Sequence, residues 1–267
     1  MKPPPALSPR PLSFRVVPEK RCKNCGHHFR GIFCSQCGQK TAHRLGLFHI
    51  LHEGVHVFTH TDKGIFALIP ALLFRPGIIA REYVEGKRKK HFSVFQYLIL
   101  IVGLALLVIS QGHLIDRMVG GLPAAPGSGA SSSATAQQEV AGTIRQYFNL
   151  FLFLTIPVFA FFSWLFFRSK GYNYAEHFVL QATIQAQIHT CFVLIIFPLV
   201  YFFGHQALDL IILLASTILA VSNTLANRQF FRVSRAEAFF KGFLITICTN
   251  GVQVLLIFLV FAVVTKG

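Results

Sequence analysis

CKNCGHHFRGIFCSQCGQ, residues Cys22–Gln39, holds four of the chain's six cysteines as two Cys-x-x-Cys-Gly units, Cys22/Cys25/Gly26 and Cys34/Cys37/Gly38. Each pair can bend so that both thiolates address one centre, and two facing pairs complete a tetrahedral set suited to Zn²⁺. The glycine after each second cysteine suits a turn that needs positive φ. A hairpin turning near Arg30-Gly31 would set Phe29 and Phe33 against the site as a minimal core. So small a unit cannot stand on apolar burial, so metal binding would supply most of its folding free energy. Four thiolates leave no open position, which points to one structural zinc and not a catalytic one. Iron also accepts tetrahedral sulfur and stays open as an alternative. Two disulfides would need an oxidising compartment, against the topology argued below. With four cysteines available, His27 and His28 are not needed as ligands.

Composition points to a membrane. Of 267 residues, 53% are hydrophobic and only 13% charged, about half the charged share of a soluble domain. The formal net charge of +15 would suggest nucleic acid in a soluble protein. Here membrane topology accounts for it, no recognition helix is evident, and no nucleic-acid partner is expected. Residues 1–20 are proline-rich without an apolar core, so they read as a disordered tail and not a signal peptide. The ribbon occupies residues 21–40.

Residues 45–93 read as an amphipathic, interfacial and basic segment. From Leu45 to His60 the period is helical, with Leu47, Phe48, Leu51, Val55 and Phe58 on one side and His49, His52, His56 and His60 on the other. This helix contains a formal H-E-x-x-H, in which His52 and His56 would bind zinc and Glu53 would act as general base of a metallopeptidase. Five residues are a short pattern in a chain with 12 histidines, and Gly54 weakens the helix that would hold them. A polar face on an interfacial helix is the plainer reading. Gly64–Phe74 is apolar but too short to cross a bilayer and contains Pro70, so it reads as interfacial or re-entrant. Arg75, Arg81, Lys87, Arg88, Lys89 and Lys90 then precede the first long apolar run. They are candidates to bind anionic lipid headgroups or a protein partner, or to act as a plain positive-inside anchor.

The motifs CxNCGxxFxGxFCxxCGQ, RPGxxxREYxxGKRxxxF over Arg75–Phe92, and Phe95-Gln96-Tyr97-Leu98 together resemble a bacterial family of multi-pass membrane proteins of unknown function with an amino-terminal zinc ribbon. The resemblance implies that Cys22, Cys25, Cys34 and Cys37 are the ribbon ligands and that the chain lies in a bacterial inner membrane. It implies no activity.

The expected fold is an all-α transmembrane bundle over residues 94–264, with spans at 94–113, 147–167, 178–203, 207–226 and 239–264 and a flexible outer loop at 116–146. Residues 1–93 carry most of the 25 Lys and Arg. Arg168, Lys170, Arg228, Arg232, Arg235 and Lys241 fall on the same side, and only Arg117, Arg145 and Lys266 on the other. The positive-inside rule puts the amino terminus in the cytosol and the carboxyl terminus outside. Polar residues within the spans include Gln181, Gln185, His189, Ser216, Asn223, Asn227, Thr246, Asn250 and Gln253. They should point inward as interhelical glue, with a substrate path and a His189 proton relay as the rival. The functional expectation is a non-enzymatic binding or scaffolding module in the membrane. A metallopeptidase and a small transporter or channel are the alternatives.

Overall fold

The computed structural model describes residues 19–46, 65–89, 93–111, 155–203 and 208–264. The chain divides into two compact units, Met1–His43 and Arg44–Gly267.

The first unit holds a two-stranded antiparallel sheet of β1 (Lys20–Arg21) and β2 (His28–Phe29), with Lys20 opposite Phe29 and Arg21 opposite His28. A second, single bridge pairs Phe33 with Lys40.

The second unit is helical. In order come α1 (Ile65–Phe74), α2 (Pro76–Val84), α3 (Val94–Gln111), α4 (residues 155–167), a 3₁₀ turn at Arg168–Lys170, and α5 (Tyr174–Cys191). A π-helical turn (Phe192–Ile196), α6 (Phe197–Phe203), α7 (Leu208–Phe231) and α8 (Arg235–Val264) follow.

Helix α5 is the axis, packing against α1, α2, α3 and α7. Its start is set by a capping box. Asn173 Oδ1 accepts the Glu176 N–H at 2.9 Å, and Glu176 Oε2 accepts the Asn173 N–H at 2.8 Å. Arg44 adds a two-pronged ion pair to the same carboxylate, at 3.0 and 3.2 Å. The π turn widens the helix directly before Pro198, whose ring would crowd the carbonyl four residues earlier in a regular α-helix. Helices α7 and α8 form a hairpin across a short turn in which Arg232 takes φ +53°. Ser234 Oγ then caps α8 by accepting the Glu237 N–H.

Among the described residues, three stretches are long and apolar enough to cross a membrane, Tyr174–Phe203, Asp209–Phe231 and Arg235–Leu256, with shorter apolar helices at Ile65–Phe74 and Val94–Val108. The polarity pattern agrees. His177, Gln181, Asn227 and Thr249 are fully buried, while Leu213, Val221, Phe240 and Leu255 are exposed. Water would penalise this arrangement, and a bilayer favours it. The three long helices overrun the expected span limits, to Tyr174, Phe231 and Arg235. Charge marks where a chain leaves lipid, but a helix continues until a cap such as Asn173 or Ser234 stops it.

The proposed tail falls largely outside the described residues, and so does the His-rich helix expected from Leu45 to His60, of which only Leu45 and Gly46 are described and these are not helical. The outer loop and residues 147–154 of the second expected span also lie outside them.

Candidate functional site

The four-cysteine cluster is built from two copies of one turn. Cys22 N–H donates to His27 O at 2.8 Å and Gly26 N–H to Cys22 O at 2.9 Å; Cys34 N–H donates to Gln39 O at 2.9 Å and Gly38 N–H to Cys34 O at 2.8 Å. Gly26 and Gly38 both have positive φ, +76° and +66°. That conformation is what lets the chain reverse after each pair. The turns face each other, with Cys22 Sγ 3.6 Å from Cys37 Sγ and Cys25 Sγ 3.7 Å from Cys34 Sγ. All four sulfurs lie within 4.8 Å of one another. A tetrahedron with metal–sulfur bonds of about 2.3 Å has edges of about 3.8 Å, so this set can hold one metal ion.

Backbone N–H groups polarise the site. That of Gln39 leads in lowering the Cys37 thiol to about 7, and that of Cys37 leads in lowering Cys34. At Cys25 the His27 N–H favours the thiolate. Desolvation and the three neighbouring sulfurs outweigh it and push the thiol up to about 12. One negative charge beside another is unfavourable until a cation arrives. Phe29 packs against Cys22 and Cys34 as expected. Phe33 does not and is 61% exposed. It directly precedes Cys34, which turns inward, and successive side chains of an extended segment point to opposite sides.

The second motif proves to be a joint. Arg75 breaks the helical path, with φ −136° and ψ 40°, and Pro76 starts α2, where its missing N–H is harmless. The Gly77 backbone touches α7 so closely that a Cβ would lie 2.2 Å from the Ala226 carbonyl oxygen. Helix α2 ends in a Schellman turn, in which Gly86, at φ +100°, donates to Tyr83 O and Lys87 donates to Glu82 O. Tyr83 is buried edge-on against Phe95, and Arg88 lies 5.5 Å over its ring. Lys87 reaches Glu82 at 3.5 Å and Glu85 at 4.0 Å. Arg75 and Lys89 are exposed, Arg81 is half-buried, and Lys90 lies outside the described residues.

The polar residues of the long helices divide. Gln253 Nε2 donates to Thr155 Oγ1 at 2.9 Å, joining α8 to α4, and Ser163 Oγ bonds His177 Nδ1 at 2.9 Å, joining α4 to α5. Gln185 is buried, and its carbonyl bonds His189 Nδ1 at 2.7 Å within α5. Gln181 is fully buried with neither side-chain polar atom paired among the described residues, and Asn227 is the same. Asn223 pairs its Nδ2 with Leu219 O and leaves Oδ1 unpaired. Asn250 and Ser216 face outward, against expectation. On α8 the inward row is Ala238, Gly242, Ile245, Thr249 and Gln253, so Thr249 takes the position expected of Asn250. A step of one residue rotates a side chain by about 100°.

Sequence reading missed His177, assigned to a loop, and the amides Gln187 and Gln229. Both amides lie in apolar helices and donate to the last carbonyls of α1, Leu73 O at 2.8 Å and Phe74 O at 3.0 Å. Their signal was the rarity of glutamine in such helices. His52, Glu53 and His56 lie outside the described residues.

Residues 62–106 match the family model described as "Protein of unknown function (DUF3667)". The match takes in α1, α2 and most of α3 and stops short of the four cysteines. No curated protein and no solved structure matches the chain.

Proposed function

We propose that this chain is a five-span integral membrane protein of the bacterial inner membrane, with its amino terminus and a one-zinc ribbon in the cytosol and its carboxyl terminus outside. Cys22, Cys25, Cys34 and Cys37 would hold the ion, which supplies a cross-link between the two turns and no open coordination position. The ribbon would bind a protein partner, and the basic segment at the joint, where Arg75 and Lys89 are exposed, would independently contact a partner or anionic headgroups. This reading is non-enzymatic. The observation that carries it is the closed set of four sulfurs on a compact unit of its own.

The test is metal content of the full-length protein purified in detergent, beside a Cys34→Ser/Cys37→Ser variant and a His52→Ala/His56→Ala variant. One zinc per chain, lost with the cysteines and kept without the histidines, supports the proposal. Iron in the cysteine site would overturn the metal assignment. A second zinc lost with the histidines would favour the metallopeptidase.

One observation favours a second reading. The unpaired polar atoms of Gln181, Asn223 and Asn227 are buried, and such groups line solute paths as well as helix contacts. Solute flux in proteoliposomes that falls in Gln181→Leu and His189→Ala would make the chain a transporter or channel. Absence of flux leaves the polar residues as glue.

A further inference from the structure

The outer face of the α7–α8 hairpin carries a groove of about 330 Å³. Val221, Thr224 and Leu225 of α7 and Phe239 of α8 line its length, and Arg228 and Arg235 close one end. The spacing explains the arrangement. Positions 221, 224, 225 and 228 form one stripe of α7, and 235 and 239 are one turn apart on α8. Because the hairpin turn is short, the last turn of α7 and the first turn of α8 lie near each other, and both arginines border the same groove. Thr224 adds little polarity, since its hydroxyl donates to the Ala220 carbonyl at 2.7 Å.

Neither guanidinium has a carboxylate partner among the described residues. Glu237, the nearest acid in sequence, is held by Lys241 at 2.8 Å and Lys170 at 3.9 Å. Val221 and Phe239 are exposed, 57% and 46%, on two helices long and apolar enough to cross a membrane. An open apolar groove bordered by two cations without carboxylate partners among the described residues suits an amphiphile with an acidic head.

We propose that this groove binds an anionic phospholipid, with one acyl chain along Val221, Leu225 and Phe239 and the headgroup phosphate between Arg228 and Arg235. The site is separate from the α1–α2 joint. The inference rests on the membrane reading above, because the lipid reaches the groove only from a bilayer.

The test uses the full-length chain in vesicles with Trp164, the one tryptophan, replaced by Phe. A reporter is placed in the groove by Phe239→Trp or on the lipid-facing far end of α8 by Leu255→Trp. Quenching is measured with brominated phosphatidylglycerol and with brominated phosphatidylcholine. A cation near an anionic headgroup contributes roughly a fivefold gain, and the factors for two arginines multiply, so the groove reporter should prefer phosphatidylglycerol by roughly 25-fold. Arg228→Gln/Arg235→Gln should reduce that preference to about that of Leu255→Trp, with quenching by phosphatidylcholine unchanged. Equal quenching by both lipids at Phe239→Trp, or a preference that survives loss of both arginines, overturns the groove while leaving the membrane reading intact. No quenching of either reporter by either lipid would overturn the membrane reading and the groove with it.

Discussion

The side-chain amide of Gln229 closes the joint at Gly77. Its Oε1 accepts the Gly77 N–H at 3.1 Å, and its Nε2 donates to the Phe74 carbonyl at 3.0 Å. One α7 side chain thus satisfies the end of α1 and the start of α2, where Arg75 and Pro76 interrupt the helical ladder. The Arg-Pro-Gly sequence is a device for docking two short helices on a long one.

Gly77→Ala should therefore be severe. The added methyl would meet the Ala226 carbonyl oxygen at 2.2 Å and Gln229 Cβ at 2.7 Å. Helix α2 would have to lift from α7, at a cost at or above the upper end of the about 1–3 kcal/mol typical of overpacking. Gly103→Ala is the control, since no described residue lies within 4 Å of where its Cβ would be. Alanine is also the better helix former there, by about 1 kcal/mol. Thermal unfolding of the detergent-solubilised chain should show a large loss for the first and none for the second. Equal midpoints for the two variants would contradict the close approach.

Gln229→Leu should cost about 1–3 kcal/mol, because it leaves two backbone groups at the joint without partners. Gln229→Glu keeps an acceptor for Gly77 N–H and loses the donor to Phe74 O, so it should fall between wild type and Leu. The same unfolding experiment ranks the three, and a Glu variant worse than Leu would refute the amide bridge.

At the start of α5 the two partners of one ion pair should differ in effect. The Arg44 side chain is 65% exposed and that of Glu176 only 6%. Arg44→Ala should cost little and lose that small effect at high salt, as exposed pairs do. Glu176→Ala also removes half of the capping box, so about 1–2 kcal/mol should persist at high salt. Unfolding midpoints at low and high ionic strength separate the two contributions.

Metal affinity of the cysteine cluster should fall steeply with acid. Binding requires thiolates, and protons compete for the same sulfurs. Cys37 is poised at about 7, whereas Cys25 is pushed up to about 12 and must be deprotonated by the metal. Zinc binding should thus release protons, and competition titrations with a chromophoric chelator should show affinity rising with pH through neutrality. Chelation should expose residues 19–43 to protease while the far-ultraviolet helical signal of the chain is retained. A pH-independent affinity would exclude the thiolates as ligands.

Much of this organisation was legible beforehand. The paired Cys-x-x-Cys-Gly units imply their own geometry, because two residues between cysteines and a glycine after them leave the backbone few ways to turn. Long apolar runs likewise announced α5, α7 and α8. The role of the Arg-Pro-Gly motif was not legible. Its cations looked like the functional part, yet Pro76, Gly77 and Tyr83 are buried and Lys87 and Arg88 are held by neighbours within the motif.

Local sequence, then, determined what depends on local forces: the cysteine turns, the helix caps at Asn173 and Ser234, and the apolar stretches. Tertiary structure alone decided what depends on which residues meet. It made Gln229 a bridge across the α1–α2 joint, turned Thr249 inward and Asn250 outward on α8, and brought Arg228 and Arg235 to one apolar groove. Those outcomes follow from how helices are rotated about their axes, and that rotation is set by contacts between residues distant in sequence.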